Sequence, residues 1–249
     1  MPKTLELRID DLPVPVEVRR HPTARRMTLR ISHSARSVIV TLPMRCRKDE
    51  AGQFLARHID WVRARLIALP EARSFEDGGL VPLRGEAHTI CFAPLRDNAK
   101  PAPAGRSLVR IEPAADGVAP RLHVAGDPEH CPRRLQDWLI GEAKKDLDQC
   151  VGWHACNLGL RPRRIAVRDQ SSRWGSCSAT GLLSFSWRLI LAPPHVLDYV
   201  AAHEVAHLAE MNHGAGFWAL VEKTMPAMNE ARDWLQKRGH ELHAYGLGQ

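Results

Sequence analysis

Long apolar runs are missing from this 249-residue sequence: no window of 18 residues is apolar enough to span a bilayer, and the opening MPKTLELRIDDLPVPVEVRR lacks the apolar segment of an export signal. Cysteine is sparse. Its six copies, Cys46, Cys91, Cys131, Cys150, Cys156 and Cys177, form no Cys-x-x-Cys pair, which argues against a thiolate zinc site or a dithiol redox motif. No G-x-x-x-x-G-K stretch is available to cradle phosphates, and no heptad run or internal repeat is visible. Together these absences predict a cytoplasmic protein with reduced thiols and no membrane partner.

What is present suits a globular enzyme. Hydrophobic residues make up 44% of the chain, ample for a buried core. Thirty-five Lys and Arg against 28 Asp and Glu leave a net charge of +7, which favours anionic partners. The basic residues fall in short pairs, such as Arg19-Arg20, Arg25-Arg26 and Arg133-Arg134, or in the run Arg161 to Arg164. Scattered in this way they predict a solvated surface, and a nucleic-acid partner is left without a defined footprint.

Four segments, LELRI, VPVEVRR, MTLRIS and SVIVTLP, show the alternation or β-branched enrichment of half-buried strands and predict a small antiparallel sheet. Phe54, Leu55, Ile59, Val62 and Leu66 then recur at helical spacing, predicting one helix closed by Pro70. Further short strands, HTICFA, SLVRIE and RLHVAG, flank a Pro- and Ala-rich loop, RDNAKPAPAGR. Leu135, Trp138, Leu139, Ala143, Leu147 and Val151 mark the packed stripe of a long helix ending before Gly159. The last third reads as strand, Gly-containing loop, strand and helices, with Met225 and Met228 in the core and His240 and His243 exposed. The fold class is α+β, with a β-rich region over 1–126, containing one helix, and a catalytic region over 127–249.

Chemistry concentrates in DYVAAHEVAHLAEMNH, which contains His203-Glu204-Val205-Ala206-His207. On a helix, residues four apart share a face, so both imidazoles can reach one ion while Glu204, one step round, reaches a water beside it. Thirteen His and fourteen Glu in a chain of this length give about 0.04 chance matches to that pattern. Catalytic zinc takes three protein ligands and one open position. His213 is the natural third, with a turn at Met211-Asn212 to bring it back and the next helix opening at His213; Glu210, seven residues after His203, and Glu222 are the competing ligands. Zn2+ would acidify its water, and Glu204 would act as general base.

Arg173-Trp174-Gly175-Ser176-Cys177, FSWRLILAPP, Asp198-Tyr199-Val200, HEVAHLAEMNH and Phe217-Trp218, in this order and spacing, resemble the YgjP-like metallopeptidases, relatives of the SprT-like zinc proteases. The early RRMTLRI, VTLP and Trp61 extend the resemblance over most of the chain. It implies a zincin-like catalytic region with a β-rich N-terminal extension, the two together forming one domain, and His203, His207 and His213 as ligands. It also implies a peptide or protein substrate, or alternatively a nucleoside triphosphate cleaved by the same site; a third alternative is a DNA-associated protein with a structural metal. Arg173, Trp174 and Ser176 are candidate substrate contacts: Arg173 could neutralise an oxyanion or a carboxylate, or the loop could be a tight turn around a packed Trp174. The strand Leu183 to Leu191 could pair with an extended peptide at a sheet edge, or be buried.

Overall fold

The computed structural model describes residues 5–7, 14–32, 37–93, 108–115, 117–170 and 173–246, so the Pro- and Ala-rich loop lies outside the described residues. Contacts group the chain into two compact units, Met1–Glu71 and Ala72–Gln249; the boundary expected at 126/127 falls inside the second.

In the first unit, strands β1 (Leu5–Leu7), β2 (Val16–Arg20), β3 (Thr28–Ser32) and β4 (Ser37–Leu42) form one sheet in the order β1-β2-β4-β3. The sheet is mixed, where the sequence suggested an antiparallel one. Its two central strands, β2 and β4, run parallel and set Val16 beside Val38 and Val18 beside Val40. That pairing brings the most buried strands together in the middle of the sheet, where Ala51, Leu55 and Val62 cover them. The single helix expected before Pro70 is two, α1 (Lys48–Ala56) and α2 (Ile59–Ile67). At the break, His58 leaves the helical region at φ −117°, ψ 14°, and its Nδ1 bonds the Phe54 carbonyl at 2.8 Å.

The second unit opens with β5 (Leu80–Leu83), β6 (Glu86–Ala93), β7 (Val109–Glu112) and β8 (Arg121–Ala125), again ordered β5-β6-β8-β7 with the central pair parallel. Helix α3 (Cys131–Leu158) follows, its buried stripe of Leu135, Leu139, Ala143, Leu147 and Val151 stopped by Gly159 at φ 66°, a left-handed position that favours glycine. Then come β9 (Arg164–Arg168), β10 (Gly175–Cys177), β11 (Leu182–Ser186), a 3₁₀ segment (Trp187–Leu191), α4 (Pro194–Ala206), α5 (Ala215–Thr224) and α6 (Met228–Leu242). Among the described residues no helix is long and apolar enough to cross a membrane.

In this region one open alternative is decided, in favour of burial, and one expectation is corrected. The stretch from Leu183 is not an edge: β11 lies between β10 and β9, with Leu183 and Phe185 fully buried, and the chain from Trp187 to Leu191 leaves the sheet as a 3₁₀ turn buried at every position. A continuous apolar run signals burial on all sides, which an edge strand does not have. His243 is buried rather than exposed, because the Trp174 indole stacks on it at 4.6 Å; His240 is exposed, Met225 is buried, and Met228 packs against the core as expected.

Arg188 holds the 3₁₀ segment in place. Its side chain is fully buried, ion-paired with Asp169, donating from Nε to the Tyr245 carbonyl at 3.2 Å and stacked over Trp187 at 4.6 Å. Asp169→Ala would strand this guanidinium without its counter-charge, a loss of about 3 kcal/mol. Thermal unfolding should then fall by about 10 °C, and an unchanged midpoint would show that Arg188 does not depend on Asp169.

Candidate metal and catalytic site

Helix α4 carries the His-Glu-x-x-His segment. Pro194 occupies its first turn, where a missing N–H costs nothing, and Val196, Val200, Ala201, Ala202, Val205 and Ala206 are buried around it. Such an all-round apolar helix is fixed by the core, so its polar side chains are held in place. A second tie comes from His154 of α3, fully buried, which donates from Nε2 to Asp198 Oδ1 at 3.0 Å and meets Thr224 Oγ1 of α5 at 2.8 Å. The bond from His154 holds the Asp198 carboxyl below its ordinary value. One imidazole thereby links α3, α4 and α5.

His203, His207 and His213 come together with their ligand atoms within 4.8 Å of one another, and His203 Nε2 lies 3.0 Å from His213 Nε2. Neither Glu210 nor Glu222 belongs to this cluster. α4 ends at Ala206 with His207 capping it, earlier than a turn at Met211-Asn212 implies, and α5 begins at Ala215, two residues after His213. The Glu210 carbonyl faces His207 Nδ1 at 2.9 Å, so Nδ1–H donates there and Nε2 is left as the lone-pair atom. Phe217 of α5, fully buried, packs its ring 4.5 to 4.8 Å from all three imidazoles.

The electrostatics suit a cation. Burial pushes His203 down to about 4, and burial also lowers His207, so both rings are neutral at physiological pH, the state in which imidazole ligates. Burial pushes Glu204 up to about 7 against the opposing pull of the Arg173 guanidinium. Among the described residues Glu204 Oε2 and His203 Nδ1 are buried without a hydrogen-bond partner. Three imidazoles beside a carboxylate oxygen are a donor set for a divalent metal with a water beside it.

Of the suspected substrate contacts, Arg173 and Ser176 line a cavity of about 460 Å³ with the three histidines and Glu204. Trp174 does not line it; its ring is turned onto His243, 3.3 Å from where a side chain on Gly239 would begin. Strand β10 passes so close to α4 that a Cβ on Gly175 would sit 2.5 Å from Glu204 Oε1. Met211, expected only as part of a turn, lines the same cavity, and Arg232, which sequence reasoning did not single out, is stacked 4.9 Å over Trp218. Arg232 belongs to no motif, and only the packing of α6 brings it near.

A mixed fold of strands and helices that gathers three histidines beside a buried glutamate has the equipment of a metal-dependent hydrolase. The chain belongs to the YgjP-like family: the sequence model of the YgjP-like metallopeptidase domain matches residues 25–238. Among solved structures, the crystal structure of the metallopeptidase zymogen of Pyrococcus abyssi abylysin is similar over 37% of this chain and 93% of that one, at 20% identity and a TM-score of 0.35. No curated protein matches the chain.

Proposed function

We propose that this protein is a zinc-dependent peptidase whose ligands are His203, His207 and His213, whose general base is Glu204, and whose second unit holds a zincin-like catalytic region. The observation that carries the reading is the convergence of three imidazoles, within 4.8 Å, beside a buried carboxylate oxygen that has no partner among the described residues. Nitrogens on a tetrahedral zinc stand about 3.3 Å apart, close to the 3.0 Å between His203 and His213. When bound, zinc supplies the Lewis acidity that brings the ionisation of water towards neutral pH.

Glu204 takes the proton of the attacking water at Oε2 and later delivers it to the leaving amine. Phe217 and the helix body give the inner side of the site an apolar wall. Arg173 faces the same cavity and can offset negative charge developing on the carbonyl oxygen. Edge strand β10, antiparallel to β11 on one side, offers its other side to an extended peptide, and Gly175 permits the close approach of that strand to Glu204.

The test is to measure metal content and then assay the protein against casein and a panel of nucleoside triphosphates, before and after chelation. The expected result is about one zinc per chain, with casein cleavage lost on chelation and regained when zinc is returned. Turnover of nucleotides alone would sink the peptidase reading and favour a pyrophosphatase at the same site; absence of bound metal would sink both.

A further inference from the structure

Resting on the peptidase reading, we infer that the outer face of the β9–β11 sheet carries a subsite for an acidic side chain of the substrate, with Arg168 and Arg173 as its specificity-determining residues. The register divides the sheet into two faces. Gly175, Phe185 and Val167 stand in one row and turn towards the core and α4; Ser176, Ser184 and Ala166 stand in the next row and turn outward, and Arg168, two residues beyond Ala166, shares that outward face. On it lies a second cavity, of about 660 Å³, lined by Arg168, Gln170, Arg173, Ser176 and Ser184 among others. The two cavities share Arg173, Ser176 and Cys177, so they meet across β10.

A peptide added to the free side of β10 continues the two-residue alternation of the sheet. Side chains of one parity then point towards α4 and those of the other parity towards the outer cavity. The charge of that cavity is unbalanced. Asp169 is the one carboxylate among its described lining residues, and it is ion-paired with the buried Arg188. Among the described residues neither Arg168 nor Arg173 is ion-paired; Arg173 divides its field between this cavity and Glu204, and Arg168 faces this cavity alone, so an incoming Asp or Glu meets both. Among the described residues Gln170 Oε1, on the same wall, has no hydrogen-bond partner and can accept from an N–H, which a peptide backbone supplies and a phosphate group does not.

The experiment uses the zinc-loaded enzyme and peptides cleaved by it, in pairs that differ only by Glu against Gln at successive positions around the scissile bond. At one position the acid should be preferred by about tenfold in kcat/KM, the size of one charge-assisted hydrogen bond, and the preference should shrink as salt is raised. Arg168→Gln should bring that ratio close to one; if this variant is unstable, the parent series and its salt dependence decide alone. Cleavage with ratios near one at every position would overturn the subsite and leave the peptidase reading standing. A preference that survives Arg168→Gln would also overturn it. Failure to cleave any peptide would remove the peptidase reading and the subsite together.

Discussion

Replacing Glu204 with Gln is expected to lower kcat by about 10² to 10⁴ while metal content stays at the parent level, because the amide keeps the shape of the side chain and loses its ability to take a proton. The substitution has a second, opposite effect on the metal-free protein. The folded-state value of Glu204 is raised from 4.5 to about 7, so the protonated form is the one that suits the fold. Its contribution to stability is complete below pH 4.5 and is lost as pH rises towards 7, as the buried carboxyl ionises. Gln carries no such charge. After chelation, the variant should therefore gain in melting temperature relative to the parent as pH climbs through this window, and the difference should level off above it. Comparing the two proteins at each pH cancels the contribution of His203, which titrates in both. A variant with parent-level turnover would remove Glu204 from the chemistry; a gap that widened as pH fell would contradict its burial as an unpaired acid.

Gly175→Ala is expected to act on the same carboxylate from the opposite wall. The added methyl would lie 2.5 Å from Oε1, 2.6 Å from Cγ and 2.8 Å from Cδ of Glu204, all inside contact distance. Strand β10 is held by its pairing with β11, Gly175 opposite Phe185, and Phe185 is fully buried. The backbone therefore resists moving, and the Glu204 side chain must turn away. A displacement of this order costs about 10²-fold in kcat, with metal content kept, because the proposed ligands sit elsewhere on α4 and beyond it. Larger residues at 175 should be worse in proportion to their bulk. Parent-level kcat in the alanine variant would mean that β10 yields instead, and would loosen the link between this strand and the base.

The parts of the site legible in the sequence are those fixed by local spacing. His203, Glu204 and His207 are set by the pitch of one helix, and His213 follows within six residues. The stripe of α3 was legible for the same reason, as was its stop at Gly159. Pairing between distant segments was not. That β9 and β11 run parallel, or that β10 takes the edge in place of the more apolar β11, depends on which faces the core covers, and an apolar run such as LLSFSWRLIL reads alike as strand or as buried turn. Trp174 shows the same limit: its neighbours in sequence point to the cleft, yet its ring is claimed by His243 nearly seventy residues later. Arg168 and Gln170 belong to no motif, and only the alternation of a sheet whose pairing is known puts Arg168 on the outer face.

The two four-stranded sheets share more than their size. Each runs first strand, second, fourth, third, with the second and fourth parallel, and in each case five residues, 43–47 and 126–130, lead from the last strand into a helix. The two sheets differ in the helix that follows. After the first, the helix breaks after nine residues. After the second, it runs on for 28 and lends its far half, through His154, to the wall on which the histidines stand, so length in that one helix ties the sheet to the site.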